Sequence, residues 1–88
     1  MVLKFRVSVC LGGGDGGDVV VSECVTEKQL EKLKICREND YDFGDYPGLK
    51  RLYSSICRSA IEEARSYDYE NDALYDNASC IVYFPDGI

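Results

Sequence analysis

At 88 residues the chain makes one small domain, residues 1–88, which buries only about 60% of the surface its unfolded form exposes, so a deep enclosed active site is not expected. A hydrophobic content of 45% excludes intrinsic disorder, and a net charge of −6 disfavours direct nucleic-acid binding, which needs a basic footprint. There is no histidine, which removes Cys-His and Ser-His nucleophilic mechanisms outright.

Along the chain, Leu3, Phe5, Val7 and Val9 alternate with Lys4, Arg6, Ser8 and Cys10, the pattern of a half-buried strand. No run approaches the roughly 18 apolar residues of a bilayer span, and MVLKFRVSV lacks the continuous apolar block of a signal peptide. A cytoplasmic protein without membrane contact is the expectation. The next stretch, CLGGGDGGDVVV, matches two functional patterns: Gly12, Gly14 and Gly17 spell the dinucleotide fingerprint, and Gly13 to Val21 spell one calcium-binding nonapeptide. The fingerprint needs a helix to start at the glycines, yet a valine run follows; the nonapeptide needs repetition, yet it occurs once. A hairpin tip over Gly12–Gly17 is therefore expected, leading into a second strand at Asp18–Val25. A symmetric register sets Val9 opposite Val20, Phe5 opposite Cys24 and Arg6 opposite Glu23. That register leaves Val19, Val21 and Val25 on the outer sheet face beside Lys4 and Arg6, where they would serve a homodimer.

Thr26 and Gln29 are spaced as a capping box ahead of Leu30, Leu33 and Cys36, which predicts a helix from Glu27. After the turn-rich DYDFGDYPG, Pro47 suits the first turn of a second helix. Its apolar stripe is Leu49, Leu52, Tyr53, Ile56, Ala60 and Ala64. SYDYENDALYDN breaks that period, and Ser79–Phe84 reads as a short strand closed by Pro85. The order β-β-α-α-β predicts an α+β domain, a three-stranded, mostly antiparallel sheet with two helices packed on one face. The five cysteines, Cys10, Cys24, Cys36, Cys57 and Cys80, contain no C-x-x-C pair, so no metal site and no cofactor is expected; four of them lie on segments read as core-facing.

The acidity is segregated. Glu38, Asp40, Asp42 and Asp45 lie between the helices, and Asp68, Glu70, Asp72, Asp76 and Asp86 follow the second, with no Lys or Arg in either stretch. Aromatic residues interleave both: Tyr41, Phe43 and Tyr46 in the first, Tyr67, Tyr69 and Tyr75 in the second. Three readings compete for these segments. Acidic loops keep a small protein soluble while their aromatics lean on the core. Carboxylates and tyrosines together form a recognition surface for a basic partner. DYDFGD also places Asp40 and Asp42 at the first and third positions of a calcium loop, although Gly44 falls one position early and Arg51 stands where the bidentate Glu belongs. A basic stripe, Lys50, Ser54 and Arg58 with Arg51 and Arg65 nearby, runs along the second helix and could pair with acidic loops of the same or another molecule.

Nothing selects two of the sixteen acids as a catalytic pair, so no enzymatic activity is expected. In size and charge the chain is similar to the small acidic single-domain inhibitors carried by phages and other mobile elements, such as anti-CRISPR proteins. That similarity, which transfers no residue, implies a nucleic-acid mimic. The sequence reading is thus a non-enzymatic module whose partner-binding surface, offered to a basic protein, comprises Asp40, Tyr41, Asp42, Phe43, Asp45, Tyr46, Tyr67, Asp68, Tyr69, Glu70, Asp72, Tyr75 and Asp76.

 The alternative is a structural or self-associating domain that uses its outer sheet face.

Overall fold

The computed structural model describes residues 1–12, 14–86 and 88, with the side chains of residues 14–16 and 69 outside the description. The first two strands, β1 (Val2–Leu11) and β2 (Gly14–Cys24), form an antiparallel hairpin, and β3 (Ser79–Val82) pairs antiparallel with the other edge of β1, giving the sheet order β2-β1-β3. Helices α1 (Glu27–Glu38) and α2 (Lys50–Tyr67) pack on one face of this sheet. The observed order is therefore the expected β-β-α-α-β.

The hairpin is real, but it is tighter than Gly12–Gly17. Leu11 already pairs with Gly14, and the register slips between Val9, which faces Gly17, and Cys10, which faces Asp15. One extra residue is thus accommodated as a bulge, where Gly17 takes a φ of +90° that a side chain would resist. Beyond the bulge Phe5 faces Val21, Arg6 faces Val20 and Val7 faces Val19. This differs from the symmetric register by three positions, an odd shift, so every β2 side chain changes face. Val21 and Val25 are buried and Val19 is half-buried against the core, which corrects their assignment to an outer dimer face. The residue that points outward is Val20, 55% exposed. Among the described residues no helix begins at the glycines, where Gly14 already opens a strand, so the dinucleotide pattern lacks the helix terminus that phosphate binding needs.

At α1 the capping box forms as its spacing implies: Gln29 N–H donates to Thr26 Oγ1 at 3.1 Å and Thr26 N–H donates to Gln29 Oε1 at 3.0 Å. Leu33 and Cys36 carry this helix into the core. Helix α2 starts at Lys50 instead of Pro47, because Gly48 has a φ of +91°, outside the helical region. Its stripe of Leu52, Ile56, Ala60 and Ala64 is buried under the sheet beside Phe5, Val7, Val9 and Val82. The last strand ends at Val82 rather than Phe84, although Tyr83 N–H still donates to the Arg6 carbonyl at 3.0 Å. Of the cysteines, Cys36 is buried, Cys10, Cys57 and Cys80 are half-buried, and Cys24 is exposed. Among the described residues no helix is long and apolar enough to cross a membrane.

Candidate functional site

The first acidic segment begins where α1 ends. Asn39 caps that helix, Asp40 takes a φ of +53°, and Tyr41 N–H returns to the Cys36 carbonyl at 2.8 Å. Asp42 then starts a short 3-10 turn, Phe43–Asp45, its Oδ1 accepting from Gly44 N–H at 3.0 Å. Phe43 anchors the segment from below. At 1% exposure it packs its ring 5.1 Å from Tyr53, 5.3 Å from Phe84 and 6.2 Å from Phe5, centroid to centroid. It belongs to the core, which removes it from the partner-binding set. Above it, Asp40, Asp42 and Asp45 are exposed, and Tyr41, 48% exposed, meets the half-buried Tyr46 edge to face at 5.9 Å. Among the described residues, no ion pair reaches these three carboxylates.

The second segment behaves differently. Asp68 ends α2, and residues Tyr69–Asn77 fold back as an irregular 3-10 stretch over the last turns of that helix. Asp72 forms a two-pronged ion pair with Arg65, and Asp76 joins the same guanidinium at 3.3 Å. These hydrogen bonds hold the Asp72 carboxyl below its ordinary value and raise the guanidinium further. Asp68 accepts from the Tyr75 hydroxyl and from Asn71 Nδ2, each at 3.0 Å. Tyr75 is 3% exposed, a second correction to the surface set, and burial pushes its hydroxyl pKa up. Tyr67 and Glu70 remain exposed. The Tyr69 side chain lies outside the described residues.

The two segments do not meet. Phe43 packs at Tyr53 near the start of α2, whereas Asp68 closes that helix, about 22 Å further along at the usual rise per residue. They are two separate surfaces at opposite ends of one helix.

Beside the first segment lies a groove of about 290 Å³ lined by Asp40, Tyr41, Asp42, Tyr53, Ile81 and Tyr83 among others. Ile81 and Tyr83 entered no sequence-level site. The signal was available in the period of SCIVYF, which turns them away from the buried Val82. A second groove, about 410 Å³, occupies the outer sheet face along Lys4, Arg6, Val20 and Tyr83, where the Arg6 guanidinium sits 4.5 Å over the Tyr83 ring. The basic stripe of α2 lines a third, about 400 Å³, with Lys50, Arg51, Ser54, Ser55 and Arg58. Of the cations named with that stripe, Arg65 pairs with the acidic segment of its own chain.

Three of the thiols offer little nucleophilic chemistry. Burial pushes Cys36, Cys57 and Cys80 up, Cys80 to about 12 with further help from a hydrogen bond to Cys57. Among the described residues, no three Cys, Asp or Glu side chains are gathered so as to hold a metal ion. The chain matches no protein family, no curated protein and no solved structure.

Proposed function

We propose that the chain is a non-enzymatic binding module of the cytoplasm that presents the acidic, tyrosine-bearing loop 40–46 to a basic protein surface. The observation that carries the reading is the contrast between its two acidic segments. Asp72 and Asp76 pair with Arg65 of their own chain, while Asp40, Asp42 and Asp45 stand in solvent with no cation against them among the described residues, on a loop fixed by the buried Phe43 and by the Asp42 cap. A loop held in one conformation loses little entropy on binding, and Tyr41 adds rigid contact area beside the charges. The adjoining groove at Ile81 and Tyr83 would seat an apolar group of the partner. A partner that normally holds nucleic acid has the matching charge, which makes the module a nucleic-acid mimic.

Capture from a cell lysate on the immobilised protein, with elution by heparin, tests this reading. Basic nucleic-acid-binding proteins should be retained by the parent, released by the polyanion, and lost with the Asp40→Asn, Asp42→Asn, Asp45→Asn triple variant. Equal retention by parent and triple variant would refute it.

A further inference from the structure

The two edges of the sheet are finished differently. In the hairpin, Met1 and Val25 exchange both backbone bonds, at 3.1 Å and 2.7 Å, so β2 residues of odd number point their N–H and C=O groups at β1. The even ones, Asp18, Val20, Ser22 and Cys24, point theirs outward. On the opposite edge the bond from Tyr83 to Arg6 sets the same alternation, which turns the Cys80 carbonyl and the Val82 N–H outward. Those two groups are covered: the Tyr53 hydroxyl donates to the first and accepts from the second, each at 3.4 Å. Among the described residues, no hydrogen bond reaches the outward groups of β2. The uncapped edge is also the longer, 11 residues against 4, and it carries the β-branched run Val19–Val21.

We infer that the open edge of β2 pairs with the same edge of a second copy, antiparallel about a dyad at Val20, to make one continuous six-stranded sheet. Backbone pairing requires outward residues to face outward residues, so a dyad at an even position is allowed, and the side chains favour Val20. There Val20 meets its own copy, Val19 meets Val21 of the other chain, Asp18 meets Ser22, and Glu23 meets Gly17. Both valine-bearing faces continue across the junction, and the exposed Val20 leaves water. Charge selects this arrangement over a parallel one. Parallel in-register strands would set Asp18 and Glu23 against themselves, whereas the antiparallel dyad keeps the two Asp18 residues about 14 Å apart, beyond the Debye length of about 8 Å at physiological salt. Glu23 is also drawn toward its own helix, where Ser55 Oγ donates to its carboxylate at 3.4 Å. The pairing uses no residue of the acidic loop, so it stands or falls independently of the proposed function.

The test combines sedimentation with amide hydrogen exchange on the full chain. The parent should dimerise as concentration rises, and at nine-tenths dimer the amides of Val20 and Ser22 should exchange about tenfold more slowly, while those of Val19 and Val21, already bonded to β1, change far less. Ser22→Pro removes an outward N–H without touching the β1 ladder, and Val20→Lys places a charge on the dyad; each should give a folded monomer. Val20→Lys covers the case in which the proline variant does not fold. A parent that stays monomeric at millimolar concentration overturns the inference. A dimer that leaves the Val20 and Ser22 amides unprotected, or that survives in folded Val20→Lys, overturns it equally.

Discussion

The Tyr53 hydroxyl bridges the Cys80 carbonyl and the Val82 N–H at the free edge of β3, so a helix side chain completes the hydrogen bonding of a strand. The same ring stacks edge-on against Phe43, which ties the acidic loop to that strand. Burial, the larger influence, pushes the Tyr53 hydroxyl pKa up, as expected of a group held neutral in the seam. Tyr53→Phe keeps the ring and removes both bonds. It should cost about 1–2 kcal/mol, measured by urea unfolding, and should speed exchange at the Val82 amide more than at Val7. Unchanged stability together with unchanged Val82 exchange would show that the edge is not capped by this hydroxyl.

Gly48 makes a separate forecast. Its φ of +91° disfavours any side chain, and an added Cβ would run into the Lys32 ammonium group. Lysine can swing away, so the backbone conformation sets the cost. Gly48→Ala should lose about 1–2 kcal/mol in the same unfolding measurement. A neutral result would mean that the turn re-forms with another geometry.

What could be read from the sequence was what is local. Thr26 and Gln29 report a helix start because the two hydrogen bonds span three residues, and the α2 stripe reports a buried face because its period is that of the helix itself. The hairpin register was not local in this sense. Glycine fits a loop and a strand alike, so the run Gly12–Gly17 carried no mark showing where pairing resumes, and the bulge opposite Val9 and Cys10 then moved every valine of β2 to the other face. Among the aromatics set between acids, Phe43 is the one without a polar atom, which is the available sign that it is buried; Tyr75 gave none, because its hydroxyl finds Asp68 only after the chain folds back. The same fold-back brings Asp72 and Asp76 to Arg65, at separations of 7 and 11 residues with no helical continuity between them.

Alkaline conditions should loosen the seam between α2 and β3. Cys80 is pushed from 9.0 up to about 12, Cys57 is also raised, and burial is the main cause for both. The neutral thiols are favoured in the fold, so their contribution is complete below the unfolded value near 9 and is lost as pH rises toward 12. Melting temperature measured from pH 8 to pH 12 should therefore fall, and Cys80→Ala should flatten the curve. Equal slopes for parent and variant would refute the assignment. In a thiol-labelling series at neutral pH the exposed Cys24 should react well before Cys57 and Cys80.

Binding kinetics separate a recognition role for the acidic loop from a solubilising one. Attraction between exposed charges acts at long range, so association with a basic partner should slow markedly as the Debye length shrinks from about 30 Å at 0.01 M salt to about 8 Å at 0.15 M, while dissociation changes far less. The Asp40→Asn, Asp42→Asn, Asp45→Asn variant should lower the association rate and lose most of its salt dependence. Tyr41→Ala removes contact area on the same loop and should mainly speed dissociation. Asp72→Asn and Asp76→Asn, made singly, serve as the contrast, since both carboxylates lie against the Arg65 guanidinium and the loss of either should lower association less than the triple variant does. Phe43→Ala belongs to another class: it empties the core beneath the loop and should cost about 3–5 kcal/mol of stability, whatever the partner. Association rates that ignore both salt and the Asn triple variant would leave the loop only its contribution to solubility.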